Sequence, residues 1–363
     1  MVPRERVLTA MRRQIPDRVP KHISWGFTLP AMDLFRKETH AKDPNEYFNI
    51  DIRIVDLASN ELKSKDPLKE AKEKYFKRYF DELPGGTQIS EWGSAYTPGS
   101  TPYYHKIISP MQNFTSVKEV KNYPFPHFFE EWRLKILEDK IKEYHKKHLA
   151  VGGGPSTTIF ETSWALRGME NLLIDFMTNE DFANYLLDKV TQIYCNTTRE
   201  YAKKDVDILM LGDDIATQRG MMMSLNTWRK WLKGRLARII KVAKETKPDI
   251  LIFYDTDGDC RDVIPELIEI GVDVLSPVQP ECMDPSWVKK KYGDYLSFWG
   301  TVGIQNTLSH GTSSEVRRKV KKRIESVGYN GGLFIGPAHV FEPDVPWENI
   351  VALYEAVEEY GRY

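Results

Sequence analysis

The chain has 363 residues, 41% hydrophobic and 28% charged, an ordinary globular composition with ample material for a large core. Lys and Arg number 51 against 52 Asp and Glu, a net charge of -1, which excludes bulk electrostatic binding of nucleic acid. Cys195, Cys260 and Cys282 form no CxxC pair, the N-terminus lacks an apolar signal core, and no run is long enough to span a bilayer. A cytoplasmic location without membrane contact is expected.

In chain order, residues 4–14 predict a short helix with Val7, Leu8 and Met11 on one face, ended by Pro16-Asp17-Arg18-Val19-Pro20. A first strand is expected at 21–27, a charged surface helix at 61–80, a strand at 88–93 and a loop at 96–110. A charged helix follows at 130–148. Strands are then expected at 149–153 and 157–161, with helices at 168–178 and 181–203. Strands at 207–212, 250–254, 272–276, 296–299 and 332–335 alternate with helices at 224–245, 261–270, 285–292, 313–328 and 346–360. Ser224 suits an N-cap and Gly271 a helix-ending glycine. In the basic stretch Arg317–Arg323, Val316, Val320 and Ile324 share one face, which predicts an amphipathic helix with a solvated basic side.

Strand after strand ends in polar groups. The apolar run Leu251–Tyr254 stops at Asp255-Thr256-Asp257-Gly258-Asp259, and Ile208–Gly212 stops at Asp213-Asp214. Leu333–Pro337 leads to His339. Buried carboxylates need partners or a metal, and strands that deliver polar side chains from their C-terminal ends suggest an α/β barrel with its site on one face. The candidate set is Glu161, Asp213, Asp214, Asp255, Asp257, Gln279 and His339, with Arg167 and Arg219 as local counterions. Asp213 and Asp259 also suit helix caps. Cys260, near an expected helix start, is a candidate for a lowered thiol pKa. No phosphate loop is present: Gly152-Gly153-Gly154-Pro155 lacks the required Lys and spacing.

Taken together these residues resemble the uroporphyrinogen decarboxylase superfamily, which includes porphyrinogen decarboxylases and corrinoid-linked methyltransferases. The resemblance runs from Arg4-Glu5-Arg6-Val7-Leu8 through Asp257-Gly258-Asp259, Gly271-Val272-Asp273, Tyr292-Gly293-Asp294, Trp299-Gly300 with Gln305 and Gly336-Pro337-Ala338-His339 to Pro346-Trp347-Glu348-Asn349. It implies a distorted (β/α)8 TIM barrel as one domain over 1–363, with 1–85 as an N-terminal helical extension and first strand. The decarboxylases carry an arginine-rich loop after the first strand. The corresponding segment His22–Pro30, with Trp25, has no arginine, so a polycarboxylate would lack its cationic partner.

The methyltransferase branch is the closer likeness. Its thiol-activating members hold zinc through a His-x-Cys motif and a later Cys. Those positions fall here on Asp255, Asp257 and His339, a hard oxygen and nitrogen set in place of thiolates. The resemblance therefore implies methyl exchange between a small O- or N-methylated compound and a corrinoid supplied by a partner protein. Zn²⁺ at Asp255, Asp257 and His339 is one option and a metal-free acid/base site the other. Asp257, His339, Glu161 and Asp214 are the expected catalytic groups, and Asp213, Gln279, Trp25 and Arg167 the expected substrate pocket. A cofactor-free decarboxylase and a non-catalytic binding barrel are the alternatives.

Overall fold

The structure is a computed structural model that describes residues 1–59, 76–99 and 105–363. Its frame is a parallel sheet of seven strands, each paired with the next in chain order, beside which β7 (Ala216–Thr217) and β8 (Gly220–Met221) form a separate hairpin. The strands are β1 (Ile52–Val55), β5 (Ala150–Gly153), β6 (Ile208–Gly212), β9 (Leu251–Asp255), β10 (Val274–Ser276), β11 (Ser297–Val302) and β12 (Leu333–Pro337). Every neighbouring pair is parallel, and helices fill the crossovers. These strands are almost wholly buried. Their continuous apolar runs, rather than alternating ones, are what a sheet covered on both faces requires.

The eighth place is held by a single residue. Lys21 bridges Ile335 of β12, with Ile335 N donating to the Pro20 carbonyl (3.0 Å) and His22 N to the Ile335 carbonyl (3.1 Å). On its other side Asp51 N donates to the Lys21 carbonyl (3.3 Å). The strand expected over 21–27 is thus cut short, because Ser24 (φ 46°) and Gly26 (φ 86°) take left-handed backbone that ends extended pairing. The true first strand of the sheet, Ile52–Val55, carries no alternation that would expose it in the sequence: Arg53 interrupts the apolar run and is buried, its guanidinium bonded to the Ile50 and Ile52 carbonyls.

The other elements fall near their expected positions. Helices occupy Pro3–Met11, Glu131–Lys146, Met169–Thr178, Glu180–Lys203, Gly234–Thr246, Pro285–Tyr292, Ser313–Arg323 and Trp347–Tyr360. Ser224 caps its helix by accepting from Thr227 N (3.1 Å). Gly271 (φ 97°) follows the helix Ile264–Glu269. In the basic helix Ser313–Arg323, Val316 and Val320 are buried, while Arg317 pairs with Glu355 (3.0 Å) and Glu359 of the last helix. Its charge is thereby partly spent inside the molecule.

Two expectations are corrected. The loop expected at 96–110 contains β3 (Ala95–Pro98) and β4 (His105–Ile108), which form an antiparallel sheet with β2 (Gln88–Ile89). Residues 157–161, expected as a strand, enter the helix Ile159–Arg167. Thr157, Thr158 and Ile159 are β-branched and favour strands locally, but a tertiary cap from Asp213 decides otherwise. The charged helix expected at 61–80 lies for the most part outside the described residues.

Candidate active site

β6 and β9 run in register, with Gly212 opposite Asp255. The polar residues that follow each strand therefore emerge at one mouth. Asp213 N donates to the Asp255 carbonyl (3.0 Å), Asp257 N to Asp214 Oδ1 (2.9 Å), and Asp214 N to Glu161 Oε2 (3.1 Å). Glu161, Asp213, Asp214, Asp255 and Asp257 are thus stitched together, and His339 Nε2 lies 3.8 Å from Asp257 Oδ2. Gln279 Oε1 accepts from Gly258 N (3.2 Å) and braces the turn after β9. Gly258 is required there: its φ is 88°, and a Cβ would strike the Thr217 carbonyl.

Below the acids the barrel is filled by rings. Phe253 meets Trp299 edge-on (5.0 Å between centroids) and Trp25 (6.5 Å). His22 lies 4.5 Å from Trp299 and 5.1 Å from Phe334. Side chains two apart on a strand share a face, so Asp255 points inward like Phe253. The buried His22 ring has Nδ1 2.7 Å from Ser24 N and Nε2 3.1 Å from Gly300 N, of which a neutral imidazole accepts from one only, and burial pushes its pKa down to about 3. It is a neutral element of the floor. Backbone strain collects beside it, where Thr301, a β-branched residue, has φ 85° and a buried hydroxyl without a partner.

Burial dominates the electrostatics. Desolvation, reinforced by Asp213, Asp214 and Asp255, pushes Glu161 up to about 9. Desolvation also raises Asp213 to about 6, against the hydrogen bonds it accepts. Asp255 is raised well above the carboxylate range by burial and by Asp257, and its Oδ1 is buried without a partner. Asp257 is pushed up to about 6 by desolvation, partly offset by His339. The side chains of Asp257 and His339 remain 37% and 42% exposed, so this pair is the part of the cluster open to solvent. Burial thus favours the protonated form of Glu161 and Asp255.

Asp213 has a structural task. Its carboxylate accepts from Thr158 Oγ1 (2.6 Å), Ile159 N (3.0 Å) and Glu161 N (2.8 Å), capping the helix Ile159–Arg167 from another strand. That cap places Glu161 in the helix's first turn, aimed at the mouth. Arg167, expected in the substrate pocket and as a counterion, is not brought there. Its guanidinium pairs with Asp175 (2.7 Å), donates to the Met111, Gln112 and Phe114 carbonyls, and lies over the Phe182 ring. Cys260 is buried, and its thiol is pushed up to about 12 by that burial and by the Asp259 charge; the next helix begins only at Ile264 and offers it no dipole to offset this.

The expected zinc trio is not assembled. Asp257 and His339 approach each other, but Asp255 is held by Ser276. Among the described residues no three His, Cys, Asp or Glu side chains are grouped as ligands of one ion. As placed among the described residues, Asp255, Asp257 and His339 do not fit zinc.

Three cavities that share walls lie among the described residues. The first, about 340 Å³, is lined by Trp25, His22, Ile54, Asp56 and Trp299. The second, about 260 Å³, shares Asp56 and Ser156 with it and reaches Trp92 and Tyr194. The third, about 250 Å³, shares Trp92 and Thr157 with the second and is lined by Glu161, Tyr96 and Trp164. The small antiparallel sheet roofs this third chamber: Ser94 Oγ donates to the Ala165 carbonyl (2.9 Å). Two arginines reach the cavity walls, and both are engaged, Arg53 with Glu46 (2.6 Å) and Arg133 with Glu91 (2.6 Å). Asp56, Trp92, Tyr96 and Trp164 escaped the sequence reading. Asp56 had the same signal as the other acids, a carboxylate directly after an apolar strand, but the strand itself went unrecognised. The aromatic residues carried no signal that separates a pocket wall from core.

A model described as uroporphyrinogen decarboxylase (URO-D) matches residues 93–360. A uroporphyrinogen decarboxylase of Legionella pneumophila strain Corby is 27% identical over 195 residues, which span 53% of this chain and 52%, about half, of that relative. The protein of the same name from strain Lens is 26% identical over 275 residues, 74% of this chain and 73% of that one. Among solved structures, a methyltransferase from Methanosarcina mazei superposes with a TM-score of 0.69 at 17% identity over 99% of both chains, a shared fold.

Proposed function

The chain belongs to the uroporphyrinogen decarboxylase family, and within it we propose a methyltransferase that moves a methyl group between a small O- or N-methylated compound and a corrinoid carried by a separate protein. The observation that carries this reading is a small, acid-lined site whose cavity walls, among the described residues, carry only arginines already paired. A porphyrinogen bears many carboxylates, and the cluster of Glu161, Asp214, Asp255 and Asp257 offers them no cationic partner. Arg53 and Arg133 are already paired. Chambers of about 250 to 340 Å³ suit a compound of modest size. In this reading the corrinoid is carried by a partner docked over the mouth, where it would supply the nucleophile that accepts the methyl group.

The chain's own residues then have defined work. Heterolysis of a methyl–oxygen bond leaves the electron pair on oxygen, and an unprotonated alkoxide leaves poorly. The Asp257–His339 pair holds a proton at the open edge of the cluster and delivers it to that oxygen, help typically worth about 10²–10⁴-fold. Trp25 and Trp299 exclude water from the floor and orient an apolar substrate. Asp213 and Gln279 hold the helix and turn that carry Glu161 and Asp257.

The test supplies purified protein with a panel of O- and N-methylated compounds and cob(I)alamin as surrogate acceptor, followed by the absorbance change on methylation. Methylation that depends on Asp257 for O-methyl donors supports the reading. A second reading, decarboxylation, draws on the names of the Legionella relatives. CO₂ release from uroporphyrinogen, with no methylation of cob(I)alamin from any donor, would establish it instead.

A further inference from the structure

The third chamber has a composition that the proton-donating pair does not explain. Trp92, Tyr96 and Trp164 line a space of about 250 Å³ together with Glu161. The hydroxyls of Ser94, Thr157 and Thr162 complete the polar part of the wall. Glu161 is the one ionisable carboxyl of that wall, and among the described residues it makes no ion pair. Its nearness to Tyr96 is also electrostatic: its charge helps to hold the Tyr96 hydroxyl above its ordinary value, after burial. Aromatic faces attract cations through their quadrupoles, by about 0.5–1 kcal/mol at exposed sites and about 2 or more when desolvated. A carboxyl set among such rings lacks only the positive partner.

We infer that this chamber binds a methylated ammonium cation, held by the faces of Trp92, Tyr96 and Trp164 and neutralised by Glu161. The inference rests on the methyltransferase reading and names its substrate class. A trimethylammonium head is compact enough for the space, and its charge has no hydrogen to donate, so ring faces and a carboxylate are the fitting partners. The cation also supplies what Glu161 lacks, since its approach favours the ionised carboxyl that burial otherwise keeps protonated. An anionic group would meet Glu161 with no cation in the chamber wall to offset it. A neutral group of equal shape would gain the apolar contacts but not the charge. The unpartnered buried indole N–H of Trp164 is a donor that an oxygen elsewhere on the ligand would satisfy.

The experiment titrates the full-length protein with choline and, separately, with its neutral carbon isostere 3,3-dimethyl-1-butanol, at constant ionic strength, by calorimetry and tryptophan fluorescence. Saturable choline binding at least tenfold tighter than the isostere is expected. In Glu161→Gln that preference should collapse while binding of the isostere is retained. Trp92→Leu should weaken choline at least tenfold, with partial recovery in Trp92→Phe. Equal affinity for the two compounds, or no saturable binding of either by the wild-type protein, overturns the inference. The two proposals fail separately. Choline preference without any methyl transfer to cob(I)alamin refutes the methyltransferase reading and leaves the cation chamber standing. Transfer from O-methyl donors with no choline preference refutes the chamber alone.

Discussion

Replacing Glu161 by Gln should make the folded protein more stable, and increasingly so as the pH rises. Glu161 has its pKa raised from an ordinary 4.5 to about 9, mainly by burial. A carboxyl with a raised folded-state pKa binds its proton more tightly in the native state than in the unfolded chain. Stability therefore falls as pH rises from about 4.5 towards 9, because only the unfolded chain ionises freely. Each pH unit in that window is worth about 1.4 kcal/mol. Residual solvent access reduces the total, so the penalty at pH 7 is about 2–3 kcal/mol, and below about 1 kcal/mol at pH 5. Gln copies the shape of the protonated acid and keeps an acceptor for Asp214 N, whose bond to Glu161 is 3.1 Å. It has no proton to lose. Urea unfolding of both proteins at pH 5, 7 and 8.5 measures the gap. A gap that does not widen with pH, or a Gln variant less stable at every pH, refutes the account of Glu161 as a carboxyl held protonated by burial. A stabilised variant that loses choline preference would mark a residue kept for function at a cost in stability.

Other perturbations follow from the same geometry. Asp213→Asn keeps one acceptor oxygen for the three donors of the helix start; a loss of about 1–3 kcal/mol is expected in thermal unfolding, with faster hydrogen exchange at Ile159 and Glu161. Arg167→Ala leaves the buried Asp175 uncompensated, and urea unfolding should show about 3–5 kcal/mol of destabilisation. The KM of the fraction that folds should be unchanged, which would confirm that Arg167 is no substrate ligand. Asp257→Asn and His339→Ala should each lower turnover of an O-methyl donor by about 10²–10⁴-fold. Their stability should stay within about 0.5 kcal/mol of the parent, since both side chains are partly exposed. With Asp257 raised to about 6, the proton-donating form is lost as pH rises through that value. The rate with O-methyl donors should fall over the same interval, and in Asp257→Asn this limb should vanish.

Local physics made much of the barrel legible. The apolar runs at Ile208–Gly212, Leu251–Asp255 and Leu333–Pro337 are long enough and sharply enough bounded to be strands in any context. The helix Glu180–Lys203 buries Phe182, Leu186, Val190 and Tyr194 on one face, a period visible in the residues alone. Acids at strand ends marked the mouth, because chain continuity forces Asp213, Asp214 and Asp257 to follow their strands. Ile52–Val55 was hidden because Arg53, buried and satisfied by the nearby Ile50 and Ile52 carbonyls, reads as surface in the sequence.

What the sequence by itself determined was therefore the alternation of strands and helices and the side of the barrel on which the acids gather. Tertiary structure decided the rest. Whether Glu161 ends a strand or starts a helix depends on a carboxylate more than fifty residues away, Asp213. Whether Arg167 is a counterion of the site or a brace depends on where Asp175 and three carbonyls come to lie. Whether Asp255, Asp257 and His339 form one ligand set depends on side-chain directions that spacing does not encode. Each outcome is set by non-local hydrogen bonds and by desolvation, which depend on what surrounds a group after folding rather than on its neighbours along the chain.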